Sequence, residues 1–160
     1  MKQSRKAKRY DDSVLPGDFN GFEPFSAGDP AVGVVSGALR RTRAGVEVGH
    51  LTLECPEPPR RSFARLQARA EDLSRQLTYL DERMEIVDHD RRGLYIQLRS
   101  LPPYKDEAQI QFNEISIARD RVVLKRIAFH RRDEVKREVP LTLSEETLER
   151  LMADLRRVLG

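Results

Sequence analysis

Between Gln109 and Arg131 two strand-like runs mirror each other about a turn at Arg119-Asp120. When residues are paired so that each couple of numbers adds to 239, Ile110 meets Phe129, Phe112 meets Ile127, Ile115 meets Leu124 and Ile117 meets Val122. Every apolar residue finds an apolar partner. A slip of one residue would turn every side chain to the wrong face, so the pattern predicts an antiparallel hairpin in this register. The same register sets Glu114 against Lys125 and Asn113 against Arg126, a polar waist at mid-length. Because strand side chains alternate, Ile110 and Phe112 share one face while Ile115 and Ile117 share the other. The hairpin thus carries two apolar patches on opposite faces.

Upstream, Val32, Val34, Val35 and Leu39 precede a polar stretch from Arg40 to Gly45, and Val46, Val48, Leu51 and Leu53 follow it. This predicts a smaller hairpin over residues 31–55, a subdomain or an extension of the main sheet. The change of phase at Gly49-His50 reads as a bulge. Pro56, Pro58 and Pro59 then stop the strand. From Ser62 to about Arg83, Phe63, Leu66, Ala70, Leu73, Leu77, Leu80 and Met84 recur at spacings of three and four, the a/d seam of a long helix that Ser62 can cap. Met84 and Ile86, a turn over Asp88 to Gly93, and Leu94, Ile96 and Leu98 predict a further hairpin; Leu101 to Glu107 is a loop. Val135, Val139, Leu141 and Leu143 share one strand face. Ser144 opens a last helix with Leu148, Leu151, Met152, Leu155, Val158 and Leu159 as its apolar stripe.

The expected fold is α+β: an antiparallel five-strand meander with a long helix before it and a C-terminal helix after it, plus a small N-terminal hairpin, both helices on one sheet face. Residues 1–30 have no period of either kind and are expected to be a disordered basic and aromatic tail, with residues 60–160 as the core domain.

The formal charge of +3 is concentrated at the start, where Lys2, Arg5, Lys6, Lys8 and Arg9 precede the first acid. Subtracting those five leaves −2 for residues 10–160, so the body is not a basic domain. Within it Arg119, Arg121, Lys125, Arg126, Arg131, Arg132, Lys136 and Arg137 form the most basic stretch, interrupted by Asp120, Asp133, Glu134 and Glu138. A single cysteine, Cys55, excludes an internal disulfide and suits a reducing cytoplasm. No apolar run reaches the length of a membrane span, and the start lacks the apolar segment of a secretory signal.

Candidate chemistry is sparse. Asp88-His89-Asp90 is the one place where carboxylates flank a histidine, but adjacent residues of a turn rarely converge on one ion, and no other His or Cys spacing completes a site. His50 and His130 lie on predicted strands far apart, and Cys55 has no histidine nearby in sequence. Phosphate-loop, nucleophile-elbow and paired-histidine motifs are absent. No enzyme, cofactor or metal is expected. Phe19, Phe22 and Phe25, spaced by three among Gly, Asn and Pro, can dock on a partner or lie back on the chain's own core.

Asp88, Asp90 and Gly93 followed by Leu94, with Arg61 and Arg65 four apart upstream, resemble the signature of PilZ domains, which bind cyclic di-GMP. The helix opened by Ser144 after the last strand is also similar to that family. Asp90 stands where the family has Ser, and an a/d helix occupies the segment where the family has its first barrel strand. The resemblance implies phosphate contacts from Arg61 and Arg65; Arg126, Arg131 and Arg132 are the further basic candidates for a nucleic-acid or dinucleotide ligand.

The leading expectation is a non-enzymatic protein-interaction or assembly module. If helices cover one hairpin face, Ile115, Ile117, Val122 and Leu124 need another cover; a second copy is the first candidate, through hairpin exchange or through Phe63, Leu66, Leu73 and Leu77 of the seam, and residues 31–55 or the Phe19–Phe25 stretch of the same chain are the second. The expected partner is therefore this chain itself or another protein.

Overall fold

The computed structural model describes residues 14–55 and 62–159. Its eleven strands form one predominantly antiparallel sheet: β1 Val14–Leu15, β2 Glu23–Asp29, β3 Gly33–Thr42, β4 Gly45–Glu54, β5 Met84–Asp90, β6 Tyr95–Ser100, β7 Tyr104–Lys105, β8 Gln109–Ile117, β9 Arg121–His130, β10 Val135–Val139 and β11 Leu141–Leu143. The helices are α1, Phe63–Gln76, and α2, Glu145–Leu159. The main path across the sheet runs β2-β3-β4-β9-β8-β6-β5.

The expected meander with a long preceding helix is corrected in two ways. Four strands come before α1, and β4 pairs with β9, so the first hairpin is part of the central sheet. The helix has 14 residues and ends at Gln76. Ser62 caps it, its Oγ accepting the Arg65 amide at 3.2 Å, and all seven seam residues are buried. Leu80 and Met84 reach the core without being helical, from an irregular segment that turns at Asp81 (φ 66°) and from the start of β5. An apolar spacing of three and four records which residues point inward, and a chain that leaves the helix can meet that demand as well as one that continues it.

Other expectations change for local reasons. Residues 14–30 carry β1 and β2 where an irregular tail was expected, because Val14 and Leu15 pair in parallel with β10 and the polar run Glu23–Asp29 borrows its partner from β3. The basic cluster from Arg5 to Arg9 and the prolines at 56, 58 and 59 lie outside the described residues. Asp88, His89 and Asp90 belong to β5, with the turn confined to residues 91–94. The register shift in the β3–β4 hairpin falls opposite Gly49-His50, as the phase change predicts. Gly37 sits at that level, where an added Cβ would stand 2.2 Å from the His50 carbonyl oxygen.

The β8–β9 register is the predicted one throughout, from Ile110 with Phe129 to Ile117 with Val122. Ile115, Ile117, Val122 and Leu124 are fully buried in the main core together with Leu66 and Leu73 of α1 and Leu151 and Leu155 of α2, so both helices cover that face. Phe112 and Ile127 are buried outside this cluster; the Arg99 guanidinium lies 5.0 Å from the Phe112 ring. The two opposite patches exist; the chain buries the tip patch and Phe112 with Ile127, while Ile110 and Phe129 stay half-buried. The premise that the tip needs a second copy is thereby overturned, and the same holds for the seam, whose Phe63, Leu66, Leu73 and Leu77 pack inside the chain.

Both edges of the central hairpin change neighbours at its waist. On one side β8 pairs with β6 over Glu114–Ile117 and with β7 over Ile110–Gln111. On the other, β9 pairs with β4 over Arg121–Lys125 and with β10 over Arg126–His130. The sheet therefore forks beside Arg126. Pro140, which has no N–H to give a ladder, separates β10 from β11, and β11 crosses the fork to pair with β4.

Candidate functional site

The fork opens into a cleft of about 430 Å³ on the helix side of the sheet, within the ordinary range of ligand pockets. Its floor comes from the hairpin waist. Asn113 and Arg126 are a cross-strand pair on the same face as Ile115 and Leu124, one step beyond the core, and Gln111 is one step further. Arg126 Nε donates to Gln111 Oε1 at 2.8 Å and Nη1 to Asn113 Oδ1 at 2.8 Å, while Nη1 and Nη2 reach the Glu82 carboxylate at 3.3 and 3.0 Å. The Arg126 and Glu82 side chains are only 16% and 15% exposed, so this ion pair is largely shielded from water.

Glu82 is held there by its own segment. Tyr79, three residues earlier, donates its hydroxyl to Asp154 of α2 at 2.6 Å; Arg150 lies 4.2 Å over its ring, and Arg157 pairs with the same Asp154. Burial and the adjacent carboxylate push the Tyr79 phenol well above its ordinary value, so it is a fixed donor at any pH at which the protein is studied. The segment after α1 is clamped to α2 at one end and to the sheet at the other, which sets one wall of the cleft. β11 sets the opposite wall: Leu141, Thr142 and Leu143 line the cleft, and among the described strands β11 pairs with β4 alone. Ser144 closes the corner by capping α2, its Oγ accepting the Thr147 amide at 3.1 Å.

The basic candidates do not assemble into one surface. Arg126 is committed to Glu82, Arg121 stands 3.9 Å from Glu54, Arg131 Nε donates to the Asp106 carbonyl, and Arg137 donates to the Pro16 carbonyl. Arg132 is exposed in the turn after β9. Arg65 is exposed on α1, and Arg61 lies outside the described residues. The start of α1 does lie against the end of β5, since the Phe63 ring is 5.6 Å from His89 with Arg91 5.4 Å away on the same ring.

The three spaced phenylalanines lie on the chain itself. Phe25 packs on the main core, the Phe22 ring meets Phe19 at 5.3 Å in a tilted contact beneath Arg40, and Phe19 rests on Gly49. Among the described residues no group of His, Cys, Asp or Glu could hold a metal, and no helix is long and apolar enough to cross a membrane. His50 bonds Glu138 at 3.0 Å across the fork, and Cys55 is buried.

Of the floor, the sequence shows Asn113 opposite Arg126. The same register puts Gln111 on that face, but the sequence does not show Glu82 or Tyr79, since their contacts depend on where α1 stops. Compared with protein-family models, with curated proteins and with solved structures, the chain matches none.

Proposed function

We propose that this chain is a non-enzymatic protein-interaction module that takes a short extended segment of another protein into the cleft at the fork, adding it as a strand to β11. One observation carries the reading: among the described residues β11 pairs with β4 alone, and its residues form a wall of a cleft whose floor is polar. An unpaired strand edge offers main-chain donors and acceptors to an extended peptide. Among the described residues β1 and β7 are also paired on one side, but each has only two residues, and the two ends of the main path are worse platforms. β5 carries Glu85, Asp88 and Asp90 and an irregular register near Val87, and β2 contains Pro24, Gly28 and Asp29. Bulges, charges and prolines of this kind blunt an edge against added strands. Three residues of edge support only two or three main-chain bonds, each worth about 0.5–1.5 kcal/mol, so affinity is modest and the reading favours transient contact. The partner in this reading is a different protein, because the Ile115, Ile117, Val122 and Leu124 tip is buried in the chain's own core; a cytoplasmic setting fits the single buried thiol.

The test is a selection from a random peptide library on the folded chain and on Thr142→Trp, which blocks the mouth of the cleft. Enrichment of peptides by the natural chain and not by the variant supports the reading; peptides that bind both equally, or none at all, refute it.

A cyclic dinucleotide is the second reading, favoured by the contact of Phe63 with His89, which brings the start of α1 beside the Asp90-to-Gly93 turn as the resemblance requires. Calorimetric titration with cyclic di-GMP separates it from the first.

A further inference from the structure

Arg126 fixes the orientation of two amide side chains. A guanidinium only donates, so the atoms facing it at 2.8 Å must be the carbonyl oxygens of Gln111 and Asn113. Their NH₂ groups then point elsewhere. Nδ2 of Asn113 donates to no acceptor among the described residues, although Asn113 is 1% exposed and lines the cleft. Buried donors are nearly always satisfied, and since Asn113 lines the cleft, an acceptor for this one can come from outside the chain. Nε2 of Gln111, half-buried beside it, is a second donor without an acceptor among the described residues.

Charge decides which acceptor. Arg126 is neutralised by Glu82 at 3.0 Å, and Asp81 also lines the cleft, so its charged residues sum to −1. A carboxylate or phosphate would gain the floor donors but meet the shielded Glu82 and, at the mouth, the exposed Asp81. An ammonium group would find Glu82 but would face NH₂ donors on the floor. A neutral amide meets both demands: its C=O accepts from Asn113 and Gln111, and its N–H has the remaining lone pairs of Glu82.

We infer that the cleft floor, Asn113 with Gln111 and Glu82 around Arg126, is a recognition subsite for a neutral amide group. The inference rests on the cleft's being the working surface and adds the chemistry it selects. Main-chain amides of a peptide and small free amides share that chemistry.

The test uses the full chain labelled with ¹⁵N, following the Asn113 and Gln111 side-chain NH₂ signals during titration with N-acetyl-alanine N-methylamide, acetamide, acetate and inorganic phosphate. The two amides shift the Asn113 signal saturably in the millimolar range, and the two anions do not. A tighter fit for the blocked dipeptide identifies a peptide as the source, and equal affinity identifies a small amide. Asn113→Asp keeps an oxygen for Arg126 but loses the amide donor and sets a second carboxylate beside Glu82, so it lowers the unfolding midpoint, and where it stays folded it weakens amide binding about tenfold; Gln111→Met, half-buried and close in volume, weakens binding by about the same factor with a smaller loss of midpoint. The inference is overturned if acetate or phosphate binds as well as the amides, if no probe moves the signal, or if Asn113→Asp binds amides undiminished. Library peptides that perturb β11 while the Asn113 signal stays still would overturn the amide subsite and leave the strand-addition reading standing; peptides that perturb neither would overturn both.

Discussion

Nη1 of Arg126 donates to Oδ1 of Asn113, 2.8 Å away and directly across the central hairpin, at the level where both strands exchange their outer neighbours. Apolar pairs would make a stronger sheet there. The polar pair stands where the core ends and the cleft begins, and it draws Glu82 in from the segment after α1. Removing the arginine leaves a shielded carboxylate and a buried amide without their partner. Arg126→Ala should lower the unfolding free energy by about 2–4 kcal/mol in a urea titration, and Arg126→Lys, which keeps the charge but loses the fork, by about half as much.

The tip of the same hairpin belongs to the chain's own core. Ile115→Ala should destabilise by about 2–4 kcal/mol through transfer and cavity terms, with the sedimentation mass unchanged at every concentration at which the protein stays folded. A change of mass with little change in stability would restore the oligomer reading.

His50 and Glu138 join β4 to β10 across the fork. The hydrogen bond to Glu138 raises the His50 pKa above its ordinary 6.5, against opposition from burial and from Lys125. A raised folded pKa means that the contribution to stability is fully present below pH 6.5 and fades as pH climbs through the folded value. The melting temperature of the natural chain should therefore exceed that of His50→Gln most at about pH 5.5 and converge with it by about pH 8.5. Since His50 is half exposed, the difference should be small and should shrink in high salt.

Tyr79→Phe removes the hydroxyl that ties the post-helix segment to Asp154. The expected loss is about 1 kcal/mol. Amide exchange should quicken over residues 77–83 more than in α1 itself, since that segment would keep Glu82 and its buried leucines but lose its tie to α2.

The hairpin was legible because its two halves constrain each other: eight apolar residues in matched pairs leave a single register. α2 was equally plain, with a cap at Ser144 and a stripe that no proline interrupts. The end of α1 was not legible. Leu77, Leu80 and Met84 keep the helical spacing after the helix has stopped, and what stops it is tertiary, the pull of Tyr79 to Asp154 and of Glu82 to Arg126. β2 was hidden for the opposite reason. Its run of Glu, Pro, Ser, Gly and Asp has no pattern of its own and is a strand because β3 offers it an edge. The cleft shared the fate of α1, for two of its walls are defined by where α1 ends and where, at Pro140, the chain leaves β9 to pair with β4 as β11.

The account turns on β11 having an edge to give. Hydrogen exchange of the backbone amides, measured with and without a peptide from the library selection, tests this directly. Slowed exchange at Thr142 or Leu143 on binding, with β5 and β2 unaltered, is the predicted result; protection that appears along β5 or β2 and leaves β11 untouched would contradict it.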